Sequence, residues 1–473
     1  MPLSVNSNIS SLNAQRNLEQ STSALAKSLE RLSSGLRINR AGDDAAGLAI
    51  SESLRSQVRG LNQAIRNAND GVSLISTAEG AIQAYTNIVQ RIRELAVQAA
   101  NDTNSVNNRA ALQLEIDEQL EELSRIANTV QFNGLNLLDG TFVNKSIQVG
   151  AMQGQTIAVS IDDMRATSLG AVATTVSGEV AALAAGDLTL NGVEVGATSS
   201  DGTSYLNRNG SAIAVAAAIN AAQADTGVTA EADATSLTAD NSSVSAVVLD
   251  GATNSLVING VNIGGVTVLD GDSSGALVEA INERTSHTGV VATLDAQDQL
   301  VLTATDGRNI TITTTGDAGY ALGLTASDGD NLTDDTTAGT VTLYAVRAFS
   351  IGGTAQGFDP ASVGVDMSTA ITSVNVTSAA GAADAIRTVD FALSQINESR
   401  ARLGGLTNRL EITIDNLRII SENLAASDSR IRDADFAAET AILTKNQILQ
   451  QAGVAILAQA NVAPQAALQL LKG

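Results

Sequence analysis

The residues able to do chemistry are few, and they do not converge. Cysteine is absent and His287 is the only histidine, which excludes disulfides, thiol nucleophiles and the Cys- or His-rich ligand sets that hold zinc. His287 stands among Thr285, Ser286 and Thr288, and no His-Glu-x-x-His motif exists, so it reads as a surface side chain. Asp270-Gly271-Asp272-Ser273-Ser274-Gly275 imitates the start of a calcium loop. Position 12 of that loop needs a bidentate Glu and is Ile281 here, so the segment reads as a turn. Asp328-Gly329-Asp330-Asn331 reads the same way. Within Gln90-Arg91-Ile92-Arg93-Glu94-Leu95, Arg91 and Glu94 form an i,i+3 pair worth about 0.2–0.5 kcal/mol on a helix surface. None of these features predicts catalysis, a cofactor or a bound metal.

The elements around them are more informative than the residues themselves. Leu18, Leu25 and Leu32 lie seven apart, with Leu29 and Leu36 expected at the other seam position. Leu61, Ala68, Ile75, Ile82, Val89 and Ala96 continue the spacing, and Leu112, Ile116, Leu120, Leu123 and Ile126 follow at threes and fours. Val389, Ile396, Leu403, Leu410, Leu417 and Leu424 then give six successive heptad positions, about 50 Å of helix. Gly404 and Gly405 interrupt that run at about 1 kcal/mol each relative to Ala. Residues 147–161 change period, alternating around Gly150 and Gly154 as a β-hairpin does. Heptads at opposite ends of one chain predict that the two ends pack antiparallel, with the middle looped out between them.

The middle, residues 169–375, is Gly-, Ser-, Thr- and Asp-rich with short alternating runs. It holds a repeat. Leu188-Thr189-Leu190-Asn191-Gly192-Val193 is echoed by Leu256-Val257-Ile258-Asn259-Gly260-Val261, Ala218-Ile219-Asn220 by Ala280-Ile281-Asn282, and Thr226-Gly227-Val228 by Thr288-Gly289-Val290. Leu300–Thr303 and Asn309–Ile312 are expected to pair as a hairpin around Asp306-Gly307. The formal charge of −23 is concentrated here: 23 acidic side chains stand against 4 arginines and no lysine, so 19 of the excess negative charges lie in this stretch. That excludes nucleic acid as a partner and predicts a solvated middle on ends that pack.

Residues 446–471 carry no charge, and the first 26 residues carry only Arg16 and Glu19. Ile442, Leu449 and Ile456 are again seven apart. Such helices expose apolar surface when alone and are expected to fold as copies assemble. They lack the Lys/Arg-rich face of a membrane-surface helix, and no apolar run reaches membrane-spanning length. The start reads as no cleavable secretory leader.

Several blocks resemble the bacterial flagellins. They are Asn6-Ser7-Asn8-Ile9-Ser10-Ser11-Leu12-Asn13-Ala14-Gln15-Arg16-Asn17-Leu18, Arg31–Asn39, Asp43–Gly47, Asn69–Gly71, Thr77–Ala81 and Gln131–Gly134. At the other end stand Thr413–Leu417, Ser421–Asn423, Arg432–Glu439 and Leu449–Gly453. The resemblance spans roughly residues 1–165 and 380–473. It implies a structural subunit that polymerises through its terminal helices into a motility filament outside the cell, exported by the flagellar type III apparatus. The implied partners are further copies of the chain, flagellar cap and hook-associated proteins, an export chaperone at the C-terminal region, and, for the monomer, the innate receptor Toll-like receptor 5. Gln90, Arg91, Glu94, Leu95 and Glu115 match that receptor's contacts in the family, with Val89 at a position commonly Leu. A hook–filament junction protein is the alternative. A glycan-binding module is disfavoured by the few aromatics of the middle, Tyr205, Tyr320, Tyr344, Phe349 and Phe358.

The expected fold is therefore α+β and multidomain. Residues 1–42 with 431–473 form a terminal coiled-coil domain, and 43–168 with 376–430 a helical rod carrying the hairpin. Residues 169–375 form a β-rich outer region inserted between the helices. It has two subdomains built on the repeat, at about 186–232 and 254–315.

Overall fold

The computed structural model describes residues 8–239, 243–324 and 331–471, with side chains to 462. Contacts divide the chain into two compact units, residues 1–80, 142–161 and 401–473, and residues 81–141 and 162–400. Two long helices contribute residues to both: α2 (Ala45–Ala100) and α9 (Ala379–Arg432).

In the first unit, α1 (Ile9–Ser34) pairs with α10 (Phe436–Leu471). Asn8 starts α1 by accepting the Ser11 N–H at 3.1 Å, and Gly35 ends it in the left-handed conformation at φ 71°. Both helices of the pair are formed in the single chain. The turn after α1 is tied to the end of α9, because the Arg37 N–H reaches the Arg432 carbonyl at 2.7 Å. Asp43 closes the same turn, receiving Lys27 at 2.8 Å and the N–H groups of Asn39 and Arg40. Leu61 and Ala64 of α2 pack on Leu417 of α9, with Ile65 and Leu424 partly buried beside them. The hairpin β3 (Lys145–Gln148) and β4 (Thr156–Val159) pairs Ile147 with Ile157. It rests on glycines of α2: Gly60 faces Ala151 and Gly71 faces Ile147 so closely that a Cβ would collide. Leu403 and Leu410 of the heptad are buried here as well.

In the second unit, Ile82, Val89 and Ala96 of α2, Ile116 and Leu123 of α3 (Val106–Thr129), and Val389 and Ile396 of α9 are fully buried. Tyr85 is buried among them and donates its hydroxyl to the Leu123 carbonyl at 2.6 Å. Burial pushes the phenol's pKa far above its usual value. Two short strands, β1 (Gln131–Phe132) and β2 (Leu135–Asn136), turn through Asn133-Gly134.

The β-rich part of this unit has two separate cores. The order is β5 (Val172–Val176), β6 (Leu188–Leu190), β7 (Val193–Glu194), α4 (Ala212–Ala221), α5 (Gln223–Thr226) and β8 (Val228–Ala232). Next come β9 (Thr235–Thr238), β10 (Val247–Leu249), β11 (Ser255–Ile258), β12 (Val261–Ile263), β13 (Val266–Val268), α6 (Ala276–Asn282), α7 (Thr285–Thr288) and β14 (Val291–Leu294). They are followed by β15 (Leu300–Ala304), β16 (Ile310–Thr315), α8 (Ala318–Leu322) and β17 (Asp335–Thr337). The chain returns through β18 (Val341–Ala345), β19 (Phe349–Gly353), β20 (Ala361–Val363) and β21 (Val365–Asp366). The sheets run β21-β5-β18-β8, β20-β19-β6-β7, β12-β11-β16-β17 and β14-β15-β9, with a β10-β13 ribbon.

The repeat is a repeat of hydrogen bonds as well as of letters. Asn191-Gly192 and Asn259-Gly260 turn with φ of 52° and 79°, and 49° and 79°, the left-handed pair that tight hairpins need. Asn191 donates to the Thr226 carbonyl and accepts from the Ser350 N–H; Asn259 does the same with Thr288 and Thr311. The expected hairpin of residues 300–312 does not form. Strand β15 pairs with β14 and β9, while β16 pairs with β11 and β17 in another sheet. Alternation identified both strands but carried no information about their partners. Strands β18 and β19 make the same crossing between the other two sheets. The first copy is thus completed by residues 341–353, and the second copy is nested inside it. The two cores reflect this: one draws on 173–230 and 341–358, the other on 239–332.

Candidate assembly and recognition surfaces

The heptad residues of α2 and α9 are buried, but those of the terminal helices divide. Leu18, Leu25 and Leu32 are half-buried in the pair with α10, and the alternate seam positions are Ala14, Ser21 and Ser28. Leu29 instead points outward. On α10 the covered positions are Glu439, Leu443, Asn446, Gln450, Gly453, Leu457 and Ala460, at alternating spacings of four and three. Gly453 lies against Leu18, and Arg31 reaches Glu439 at 3.5 Å. Ser11 donates to Asn461, and Asn8 to the Ala460 carbonyl.

Ile442, Leu449 and Ile456 therefore lie off the seam, 44%, 45% and 57% exposed. Phe436, Ile448, Val454 and Val462, with Ile9 and Leu12 of α1, are exposed too. Leu18, Leu25, Leu32, Leu443 and Leu457 share the internal seam with small and polar side chains, while Ile442, Leu449 and Ile456 face outward. The outward stripe is aliphatic at every heptad step, whereas the seam interrupts Leu443 and Leu457 with Gln450. The seam's trace is the 4-3 run from Glu439 to Ala460, in which only Leu443 and Leu457 are large aliphatics. Isolated apolar residues on a surface are ordinary, but a continuous stripe along paired helices marks a contact surface.

On α2, Gln90, Arg91 and Glu94 are exposed, and Glu115 of α3 is half-exposed beside them. Arg91 bridges both carboxylates, at 2.7 Å to Glu115 and 3.0 Å to Glu94. The hydrogen bond to Glu115, then that to Glu94, raises the guanidinium pKa further. Sequence had paired Arg91 with Glu94 alone; Glu115, 24 residues away, is its shorter partner. Leu95 lies beneath this patch at 1% exposure, so it packs where its neighbours are displayed. Arg93, on the same helix, pairs with Asp390 of α9 at 2.6 Å.

The calcium-like loop has a different occupation. The buried Asp272 carboxylate accepts the N–H groups of Leu277 and Val278 at 3.1 Å each and so starts α6. His287 is exposed on α7, its Nδ1 3.1 Å from the Ser286 hydroxyl. Residues 328–330 of the other acidic turn lie outside the described residues. Among the described residues no helix is long and apolar enough to cross a membrane.

Comparison with known proteins gives these surfaces a context. The family model of the bacterial flagellin N-terminal helical region matches residues 5–143, and that of the C-terminal helical region matches residues 386–471. A flagellin hook IN motif matches residues 255–306, which is most of the nested second copy. The B-type flagellin of Pseudomonas aeruginosa is 43% identical and polar flagellin F of Vibrio parahaemolyticus 36% identical, each over 100% of both chains. Among solved structures, FliC from Burkholderia pseudomallei covers 72% of this chain and 99% of its own, at 20% identity and a TM-score of 0.31. The flagellar junction protein FlgL from Legionella pneumophila covers 81% of this chain and 99% of its own, at 14% identity and a TM-score of 0.34. Those scores are too low to bear on how the domains are arranged. Identity along the whole length is decisive: the chain belongs to the bacterial flagellin family, structural and non-enzymatic subunits of the flagellar filament.

Proposed function

We propose that this subunit polymerises through the outward aliphatic faces of α1 and α10, which neighbouring copies cover. The observation that supports it is the exposure of Ile442, Leu449 and Ile456 beside a seam that α1 already covers. On this reading residues 1–42 with 431–473 form the filament core and 43–168 with 376–430 a helical layer. Residues 169–375 form the outer surface in two subdomains, and the concentration of negative charge there suits a face turned to water. Family membership supports secretion through the flagellar type III apparatus without a cleaved leader, a chaperone bound to the C-terminal region, and growth beneath a cap after hook-associated proteins. Gln90, Arg91, Glu94 and Glu115 form the surface offered to Toll-like receptor 5 by the monomer, with Leu95 supporting them from below.

Seeded monomer examined by negative-stain electron microscopy tests the assembly reading. The full chain should give long filaments, and a chain lacking residues 1–40 and 434–473 none. Ile442→Asn, Leu449→Asn and Ile456→Asn together should keep helical circular dichroism but abolish growth. Normal filaments from that triple variant would refute the assignment of the stripe.

A further inference from the structure

The filament holds many copies at high local density, so an open sheet edge in the outer region is a liability for pairing with an edge of another copy. An edge strand presents unpaired N–H and C=O groups that template pairing with another chain. Most edges here are short: β7, β12, β17, β20 and β21 span two or three residues each. Strand β9, with four residues, lies against β16 and β17. The remaining edges of the four larger sheets are β8, with five residues, and β14, with four.

Each is covered by one asparagine, Asn220 near the end of α4 for β8 and Asn282 at the end of α6 for β14. Asn220 donates to the Ala230 carbonyl and accepts the Ala230 N–H, each at 2.8 Å. Asn282 donates to the Ala292 carbonyl at 3.0 Å and accepts its N–H at 2.8 Å. A side-chain amide thus imitates the neighbouring strand that the edge lacks. The residue two before each of these alanines is covered too. Thr226 accepts the Val228 N–H and Thr288 the Val290 N–H, both at 3.2 Å, and Thr285 donates to the Val290 carbonyl at 2.9 Å. Strand β8 pairs with β18 and β14 with β15, so these bonds serve groups that the ladders leave unused.

We propose that Asn220 and Asn282 are edge guards, whose amides keep β8 and β14 from pairing with sheet edges of other copies. Their conservation between the two copies of the repeat follows from the demand, since each copy ends its sheet at the equivalent strand. This role rests on the filament reading, but it concerns association of outer regions and is separable from polymerisation through the termini.

The test uses full-length chain carrying Asn220→Ala with Asn282→Ala, beside Asn220→Asp with Asn282→Asp. Aspartate still accepts the alanine N–H and adds charge that repels a neighbouring edge. Freeing the edges should make alanine filaments associate laterally, by light scattering and electron microscopy, at about tenfold lower protein concentration than wild type. The aspartate filaments should stay dispersed. Alanine filaments that disperse like wild type, with the outer region's melting transition retained, would reduce the asparagines to structural braces and overturn the proposal. Should the alanine chain lose that transition, hydrogen exchange in the unaltered protein decides. The Ala230 and Ala292 amides should exchange about tenfold more slowly than open edge amides, and exchange at the open rate would overturn the guard.

Discussion

Glycine-to-alanine changes in the two long helices should have opposite signs depending on what each glycine faces. Alanine is favoured over glycine in a helix interior by about 1 kcal/mol wherever nothing else changes. At Gly404 and Gly405 of α9 a Cβ would meet nothing within 4 Å. Gly404→Ala with Gly405→Ala should therefore stabilise the unpolymerised chain by about 2 kcal/mol, a rise in melting temperature of about 4–8 °C for a cooperative unit of this order of size. At Gly60 a Cβ would lie 2.9 Å from the Ala151 Cβ and 3.3 Å from its Cα, where backbone cannot yield cheaply. Overpacking costs about 1–3 kcal/mol, so Gly60→Ala should be neutral to about 2 kcal/mol destabilising despite its better propensity. Gly71→Ala falls between, because its nearest neighbour at 2.6 Å is the mobile end of Ile147. Thermal and guanidinium unfolding of monomer, followed by far-ultraviolet circular dichroism, reads all four positions. A destabilised Gly404/Gly405 pair, or a clearly stabilised Gly60→Ala, would show that the packing on these helices is not what decides their stability. The same Gly404/Gly405 filaments test whether these glycines lend the helix compliance, for which an unchanged range of waveforms would leave no role.

Other consequences are as definite. The Lys27 hydrogen bond, then the Arg40 and Asn39 N–H groups, hold the Asp43 pKa down to about 2. A depressed carboxylate contributes stability above its unfolded pKa and loses it as pH falls through the folded value. Asp43→Asn should therefore be less stable than wild type near neutrality, with the difference shrinking below pH 4 and gone near pH 2, as acid titrations of ellipticity would show. Asn259→Ala removes the amide that bridges Thr288 and Thr311 and puts a Cβ-bearing residue without local hydrogen bonding at φ 49°. The expected cost is about 3 kcal/mol in the outer region's melting transition. Arg91→Ala breaks two exposed, solvent-screened ion pairs and should leave the melting transition essentially unchanged. In a receptor-reporter assay the same monomer should lose at least about tenfold in potency; unchanged signalling would remove Arg91 from the recognition surface.

The sequence alone determined the helices of α2 and α9 and which of their faces is buried. Six heptad positions of α2 from Leu61 to Ala96, and the α9 positions from Val389 to Leu417, are all covered. Continuous apolar stripes of that length leave no other face to bury. It also determined the two Asn-Gly turns, because only a few residues accept two successive positive φ values. The work of the acidic turn at Asp270, starting α6 through Asp272, was not legible.

Tertiary structure decided what covers each face and which strand meets which. The period of α10 is the same for the stripe Ile442, Leu449, Ile456 and for the seam Glu439 to Ala460, so spacing could not say which one α1 would take. The fold did: Gly453 lies against Leu18, so α1 takes the face that carries Leu443, Gly453 and Leu457, and Ile442, Leu449 and Ile456 are left outside. Likewise, Arg91 found Glu115 only because α2 and α3 lie side by side. The nesting of the second repeat copy was invisible for the same reason. Strand pairing between β8 and β18, or β6 and β19, joins residues more than a hundred positions apart. Local periodicity specifies a strand's faces, whereas its neighbours are chosen by the burial of the whole core.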